Sequence, residues 1–285
     1  MKLCRFTFNA SLPRIGLIAD NQTVLDLTPE RITRLDRLLE EDGLLTKLTA
    51  LAERKLPHYN LADVSLLAPV EEQEVWAAGV TYLRSKAARM EESDFSANAY
   101  DRVYVAERPE LFFKSLPQKV VPSGEPVGIR KDSRWNVPEP ELALVLNSRG
   151  QIAGYTIGND MSSRDIEGEN LLYLPQAKMY DRSCAIGPSI VIGITETEAR
   201  AWRIKLAIRR GDEVVFEGET SVGQIKRSFE ELAQFLFRSQ RFPSGAILLT
   251  GTGIVPPESF SLTPEDFIRI EISGIGTLEN PVAEV

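Results

Sequence analysis

The sequence predicts an α+β protein that is mainly β, with a small N-terminal α+β module over residues 1–69 and a larger β-rich domain over residues 70–285. Short runs of strand-forming residues between turn residues recur through the second half of the chain. Helical periodicity is confined to the stretches 29–56, 84–94 and 228–238. Strands that follow one another without regular intervening helices argue against an alternating βαβ fold.

In the N-terminal module, short strands come first and a helical stretch follows. The helical stretch is Pro29–Leu56, in which leucines recur at core-like spacings and Gly43 predicts a break. The predicted strands are Leu3–Phe8, Gly16–Ala19, Thr23–Leu27 and Val64–Pro69.

The larger domain begins with a buried strand at Trp76–Val80, followed by the charged helical stretch Arg84–Asp94. Residues 95–110 have no clear period and are predicted to form a connection. One later helix, Ser228–Arg238, has an apolar face. The remaining elements are predicted strands: Leu111–Lys114, Glu141–Leu146, Ile152–Ile157, Ser189–Ile194, Arg203–Arg209, Glu213–Glu219, Ala246–Thr250 and Phe267–Ile272.

Composition and charge exclude several classes of protein. Apolar residues make up 43% of the chain and charged residues 26%, which is typical of a globular protein. The net charge of −8 argues against a nucleic-acid partner or an anionic membrane, both of which require a basic surface. The start, Met1–Arg5, lacks the apolar core of a signal peptide, and the chain has no apolar run long enough to span a membrane. We therefore expect a cytoplasmic protein.

The chain contains one histidine, His58, and two cysteines, Cys4 and Cys184. A catalytic set based on histidine would require His58, which lies in a turn-like segment and is predicted to be a surface residue. Two distant cysteines cannot form a zinc cage or a disulfide framework.

Three carboxylates in the middle of the chain could form an oxygen-rich site. Glu139 and Glu141 alternate along a strand, so they share one face about 7 Å apart. Asp160 ends the next strand and could join them, and Ser162 with Asp165 resembles a capping box for a short helix. Such a set suits Mg²⁺, with Mn²⁺ and Ca²⁺ as alternatives. Taken alone, the two glutamates could instead form a solvated face of an edge strand.

Two further segments carry polar groups that could bind a small anion. Lys178 follows a largely apolar stretch and could bind the carboxylate of a 2-oxo acid or transfer a proton, or it could form a surface ion pair with Asp181. The stretch Thr250–Pro257 is rich in glycine and hydroxyl groups, which could bind an anion or simply form a turn.

Taken together, these segments resemble the fumarylacetoacetate hydrolase superfamily over roughly residues 70–285. The stretch Ile275–Val282 resembles the end of its catalytic domain. The resemblance implies a β-roll, or pseudo-barrel, catalytic domain that is usually a homodimer, with Mg²⁺ as the expected divalent cation. The residues that carry it, with the implied metal ligands first, are Glu139, Glu141, Asp160, Asn159–Asp165, Lys178, Gly187-Pro188 and Thr250–Thr252.

One departure from the family points to a particular branch. Hydrolases of the family tend to carry Asn-Tyr-x-x-His, whose histidine helps to activate water, and here Thr81 and Ser85 stand at the asparagine and histidine positions. Loss of a general base removes a contribution of about 10²–10⁴-fold. The stretches 79–93, 106–114 and 163–170 are similar to the 2-keto-3-deoxy-D-arabinonate dehydratases of the superfamily.

The resemblance implies a magnesium-dependent dehydratase, a lyase that converts a 2-keto-3-deoxy sugar acid such as 2-keto-3-deoxy-D-arabinonate into 2,5-dioxopentanoate through a metal-stabilised enolate. The predicted catalytic residues are Lys178, Glu92 and Arg84. The predicted substrate-binding residues are Tyr82, Ser85, Arg89, Lys114, Arg164 and Thr252.

Two alternatives remain open from the sequence. The first is a hydrolase or decarboxylase of the same family that cleaves a carbon–carbon bond in an acylpyruvate or 2,4-diketo acid. It needs a base, and Glu91 or Glu92 in a predicted lid could provide one. The second is a family member that binds its ligand without turnover.

Overall fold

Strands dominate the computed structural model, which describes residues 1–9, 11–20, 22–82 and 102–285. The strands are β1 (Lys2–Thr7), β2 (Arg14–Ala19), β3 (Thr23–Asp26), β4 (His58–Asn60), β5 (Ser65–Leu67), β6 (Glu74–Gly79), β7 (Glu110–Ser115), β8 (Val120–Val121), β9 (Val127–Ile129), β10 (Asn136–Val137), β11 (Pro140–Leu146), β12 (Ile152–Asp160), β13 (Ser162–Ser163), β14 (Cys184–Val191), β15 (Arg203–Arg210), β16 (Glu213–Ser221), β17 (Ala246–Leu249), β18 (Asp266–Ile272) and β19 (Gly276–Glu284). The helices used below are α1 (Leu35–Leu39), α2 (Leu44–Ala52), α3 (Arg164–Glu169), α4 (Leu174–Lys178), α5 (Glu196–Arg200) and α6 (Phe229–Phe237).

Most of the strands belong to one large mixed sheet. Its order is β4-β3-β2-β1-β14-β12-β11-β17-β6-β7, with β5 beside β1 and β8 beside β14. A second sheet has the order β16-β15-β18-β19-β9, and β10 pairs with β13 separately. The described part of the chain is therefore mainly β with few helices, which confirms the predicted fold class.

The strands of the N-terminal segment continue the large sheet, because β1 pairs antiparallel with β14. The helical stretch predicted over 29–56 forms two short helices, α1 and α2, and the break predicted at Gly43 is confirmed. Gly43, with φ of +71°, is the residue before α2, and glycine adopts this left-handed conformation without the steric cost of a Cβ. The division of the chain at residue 69 stays a prediction.

Strand β11 lies in the interior of the large sheet, between β12 and β17, and all its residues are buried. Leu142, Leu144 and Leu146 pack into the core shared with the second sheet. Ala143 and Val145 pack on the other side, with the leucines of α1 and α2. The alternation predicted from the sequence is therefore correct, and the alternative of a solvated edge strand is wrong, because both faces of β11 are covered.

The structure also corrects element boundaries near the end of the chain. The predicted strand Ser189–Ile194 only overlaps the end of a strand that begins earlier, β14, which ends at Val191 and pairs with the end of β12 at Cys184 to Ile186. The closing stretch forms β19, which pairs with β18 and with β9. Within the described ranges, helices are too short or too polar to cross a membrane.

We expect the buried face of β11 to be critical for stability. Leu144→Ala should lower the free energy of unfolding by about 2–5 kcal/mol, because it leaves a cavity in a close-packed core. The matched control Leu12→Ala, at a side chain that is 85% exposed, should change it by less than about 0.5 kcal/mol. Urea unfolding followed by circular dichroism measures both, and equal effects would contradict this view of the core.

Candidate active site

The pairing of β11 with β12 brings the three predicted metal ligands together. Glu141 pairs with Gly158, and the backbone N–H of Asp160 donates to the carbonyl of Glu139 at 3.0 Å. One carboxylate oxygen from each of Glu139, Glu141 and Asp160 lies within 4.8 Å of the other two. Adjacent antiparallel strands thus place side chains distant in sequence on one spot of the sheet.

All three carboxylates are buried, with exposed fractions of 3% or less. Burial of charge is costly unless opposite charge is close. Lys178, at the end of α4, places Nζ 2.8 Å from Glu139 Oε2 and 3.3 Å from Asp160 Oδ2. Arg164, at the start of α3, donates to Glu139 Oε1 at 2.8 Å. Lys178 is fully buried and pairs with Glu139 and Asp160, so the alternative of a surface ion pair with Asp181 is wrong.

Lys114 is the third buried cation at this spot, and its ammonium group is surrounded by protein oxygens. Nζ donates to the carbonyls of Met161 at 2.9 Å and Lys178 at 2.5 Å, and lies 2.5 Å from Asp160 Oδ1. An ammonium group has three donors. Lys114 thus joins the segment after β12 to the end of α4, and it is directed at the metal ligand Asp160 rather than at open space.

Glu141 is held by the turn that follows β17. The backbone N–H of Gly251 donates to Glu141 Oε2 at 2.5 Å. Burial, together with the negative charges of Asp160 and Glu139, raises the pKa of the Glu141 carboxyl well above its ordinary value. A positive charge bound among the three carboxylates would favour the ionised form.

This donor set fits a hard divalent cation. Mg²⁺ prefers carboxylate and water oxygens, whereas zinc prefers nitrogen and sulfur. The space beside the carboxylates is small, about 10 Å³, which suits one ion or one water molecule. Its lining is formed by Ala78, Gly79, Val80, Phe112, Glu139, Glu141, Asp160, Arg164, Gly251 and Thr252.

Of the predicted substrate-binding residues, Arg164 and Thr252 line this space, and Tyr82 packs against the residue after Thr252. Thr252 is a lining residue, and its hydroxyl accepts from the backbone N–H of Ile254 at 3.2 Å. Tyr82 is fully buried and its ring packs against Gly253, where a Cβ would stand 2.5 Å from the ring. Burial and the charge of Glu141 raise the pKa of the Tyr82 hydroxyl, so this residue is a neutral hydrogen-bonding group.

The segment after β12 enters α3 without the predicted capping box. Ser163 is the residue before the helix and makes no side-chain capping bond. Ser162 instead donates to Glu167 Oε2 at 3.0 Å, and Asp165 accepts from the hydroxyl of Ser133 at 2.6 Å. The capping prediction is wrong because the hydroxyl of Ser162 donates to a side chain, that of Glu167, and the carboxylate of Asp165 accepts from Ser133 and from the backbone N–H of Ile166.

A cavity of about 310 Å³ lies beside the metal site and contains two carboxylates that were not predicted as site residues. Glu110 follows the sequence alternation of β7 with Phe112 and Lys114, and its carboxylate packs against Gly79, where a Cβ would stand 2.1 Å from Oε2. Glu167 is buried in α3, the helix that begins at Arg164. The lining of this cavity is formed by Val103, Arg108, Pro109, Glu110, Glu167, Leu171 and Leu174.

Several predicted residues are elsewhere. Arg84, Ser85, Arg89 and Glu92 lie outside the described residues. His58 lies on β4, at the far end of the large sheet from β11. Cys4 and Cys184 are free and buried, and burial raises the pKa of each thiol to about 12, which keeps them protonated.

Comparison with known proteins places the fold and site in a family. Residues 74–283 match the family described as fumarylacetoacetate (FAA) hydrolase C-terminal, and the chain belongs to this family. The predicted superfamily is therefore confirmed.

Within the family, several of the similar proteins are dehydratases. The chain is 41% identical over 270 residues to the 2-dehydro-3-deoxy-D-arabinonate dehydratase of Saccharolobus solfataricus, which covers 93% of this chain and 91% of the relative. It is 48% identical over 223 residues to a probable 2-keto-3-deoxyxylonate dehydratase of Haloferax volcanii, covering 78% and 76%. A solved structure of 2-keto-3-deoxy-D-arabinonate dehydratase complexed with magnesium and 2,5-dioxopentanoate is similar over 100% of this chain and 99% of that chain, with a TM-score of 0.81 and 35% identity. These relatives confirm the predicted resemblance to the dehydratase branch.

We expect Glu141→Gln to raise the dissociation constant for Mg²⁺ by at least about 100-fold, because a neutral amide replaces a buried anionic ligand. Glu213→Gln removes the same charge from an exposed position on β16 and should leave Mg²⁺ binding unchanged. Isothermal titration calorimetry measures both constants. Wild-type affinity in Glu141→Gln would contradict the location of the metal site.

Proposed function

We propose that this protein is a magnesium-dependent dehydratase that converts a 2-keto-3-deoxy sugar acid, such as 2-keto-3-deoxy-D-arabinonate, into 2,5-dioxopentanoate. The observation that carries the proposal is the buried group of three carboxylates, Lys178 and Arg164, in a chain 41% identical over 93% of its length to a dehydratase of this type. The activity agrees with the function predicted from the sequence.

Glu139, Glu141 and Asp160 would hold Mg²⁺, with Mn²⁺ and Ca²⁺ as alternative ions. The ion supplies Lewis acidity, which makes the protons beside the ketone of a bound 2-oxo acid easier to remove. Because these ligands are fixed by the pairing of β11 with β12 and by neighbouring cations, the site requires little rearrangement to accept an ion.

The elimination removes a proton from carbon 3 of the substrate and hydroxide from carbon 4, and the hydroxide leaves as water after gaining a proton. The unsaturated product becomes 2,5-dioxopentanoate in two proton transfers. A proton first moves from carbon 5 to carbon 3, which gives an enol with its double bond between carbons 4 and 5. The proton of the enol hydroxyl then moves to carbon 4, which leaves an aldehyde at carbon 5. We assign Lys178 to proton transfer and substrate binding, because Nζ lies against two metal ligands, Glu139 and Asp160.

The other described residues have supporting roles in the proposal. Arg164 binds the substrate carboxylate and orients Glu139. Thr252 contacts substrate from the pocket wall, where its hydroxyl also donates to the carbonyl of Ile254 at 3.2 Å, and Tyr82 binds substrate from beside Gly253. For Lys114, which was predicted to bind substrate, we now propose a positioning role, because three protein oxygens already surround Nζ.

The neighbouring cavity would accept the hydroxylated end of the substrate. Its volume of about 310 Å³ is within the range of small-ligand sites, and carboxylates accept hydrogen bonds from sugar hydroxyls. We assign this binding to Glu110 and Glu167. Apolar residues Leu171 and Leu174 complete the wall and help to exclude water.

The remaining predictions from the sequence stay predictions. They are catalytic roles for Arg84 and Glu92, substrate binding by Ser85 and Arg89, a homodimer, and a location in the cytoplasm. Neither a nucleic acid nor a membrane is a proposed partner, because the net charge is −8.

The substrate can be tested with purified protein, Mg²⁺ and 2-keto-3-deoxy-D-arabinonate, with products followed by NMR. We expect 2,5-dioxopentanoate to form with Mg²⁺ and to be absent when EDTA is added. Formation of pyruvate and a second fragment would identify carbon–carbon cleavage and contradict the dehydratase. Absence of turnover with this acid and with 2-keto-3-deoxyxylonate would also contradict it.

The role of Lys178 can be tested by Lys178→Met, which keeps the length of the side chain and removes its proton-carrying group. We expect kcat for dehydration to fall on the order of 10²–10⁴-fold, the usual contribution of a general acid or base. The matched control is Lys205→Met, at an exposed position on β15, which should keep wild-type kcat. Near-normal turnover in a folded Lys178→Met protein would exclude the proposed proton transfer.

A further inference from the structure

We propose that Thr81 is a positioning residue for the metal site, which sets the affinity for Mg²⁺ by holding the turn that orients Glu141. This inference rests on the magnesium site of the proposed function. Thr81 stands at a position where the family's hydrolases tend to carry asparagine. The sequence analysis assigned no role to it.

A short series of hydrogen bonds links Thr81 to the metal ligand. The Thr81 hydroxyl donates to the carbonyl of Thr250 at 2.6 Å. The next residue, Gly251, donates its backbone N–H to Glu141 Oε2 at 2.5 Å. The peptide unit whose carbonyl accepts from Thr81 is the one whose N–H binds the carboxylate, since it joins Thr250 to Gly251. Thr81 therefore holds the orientation of this peptide directly.

Close packing reinforces this link. Gly251 has φ of +89°, and a Cβ at this residue would stand 2.1 Å from Thr81 Oγ1. The hydroxyl thus occupies the space that a side chain on Gly251 would need. Thr250 is fixed from the other side, because its own hydroxyl donates to the carbonyl of Leu142 at 2.8 Å in β11.

The backbone is strained at Val80, the residue before Thr81. Val80 has φ of +54°, a conformation that is rare for a β-branched residue, and it is 4% exposed in the wall of the metal site. Such conformations persist where surrounding contacts determine them and are common at functional sites. Here the contacts are the hydroxyl bond of Thr81 and a second bond, from the N–H of Lys226 to the carbonyl of Thr81 at 3.0 Å.

The consequence for the metal follows from the two oxygens of Glu141. Oε2 is committed to Gly251, which orients the carboxylate relative to Glu139 and Asp160. If the Thr250–Gly251 peptide could rotate, the carboxylate would lose this orientation. Partners that orient a metal ligand usually contribute about 10–100-fold to affinity.

The test compares Mg²⁺ binding in Thr81→Val, which replaces the hydroxyl with a methyl group of similar size, and Thr81→Ser, which keeps the hydroxyl. Calorimetry without substrate should give a dissociation constant about tenfold higher for Thr81→Val and close to the wild-type value for Thr81→Ser. Thermal unfolding without Mg²⁺ shows that each variant is folded. If Thr81→Val does not fold, Thr81→Ala and Thr81→Ser provide the same comparison.

The matched control is Thr156→Val. Thr156 is equally buried and its hydroxyl also donates to a backbone carbonyl, that of Gly187 at 3.3 Å, but it has no link to Glu141. It should bind Mg²⁺ like the wild type. Wild-type affinity in a folded Thr81→Val or Thr81→Ala protein, or an equal loss in Thr156→Val, would overturn the inference. Absence of Mg²⁺ binding by the wild type would instead overturn the metal site on which it rests.

Discussion

The concentration of three buried carboxylates within a few ångströms is the constraint on which the rest of the site depends. Glu139, Glu141 and Asp160 repel one another, and burial removes the water that would screen them. Compensating positive charge must therefore be close, and Lys178 and Lys114 supply part of it from two separate elements, α4 and β7. The same arrangement that permits these carboxylates to be buried leaves them ready to hold a divalent cation.

The large sheet makes this arrangement rigid. An interior strand of this sheet, β11, has apolar residues on both faces where it crosses the core, and at its beginning one face changes from aliphatic residues to carboxylates. Packing at one end of the strand thus fixes the geometry at the other. Strand β17 also pairs with β11, and the turn that follows β17 therefore places the Gly251 N–H beside Glu141. Stability and function are coupled because both depend on the strands β11, β12 and β17.

The replacement of the hydrolases' asparagine by Thr81 illustrates how one family fold can support different chemistry. The Thr81 hydroxyl donates to the carbonyl of Thr250, so in our proposal it positions the turn that holds Glu141. An elimination needs proton transfer at carbon and at a leaving hydroxyl, and no water nucleophile has to be activated. Lys178 beside the carboxylates and Glu110 beside the neighbouring cavity suit such proton transfer and hydroxyl recognition.

Local patterns were sufficient for much of the fold and for part of the site. The alternation along residues 139–146 places Glu139 and Glu141 on one face and three leucines on the other, because strand geometry has a fixed period of two. The mainly β class followed from the same patterns. The break predicted at Gly43 within the helical stretch 29–56 was correct, since this glycine, in a left-handed conformation, lies between α1 and α2.

The partners of these residues were decided only by the tertiary structure. Thr81 and Thr250 are 169 residues apart, Gly251 and Glu141 are 110 apart, and each pair meets across neighbouring strands. No local period encodes such contacts, because they depend on the order of strands within the sheet and on the path of each connecting turn. The sequence alone determined which side chains could share a face, and the pairing of β6, β17, β11 and β12 determined which of those faces meet at one site.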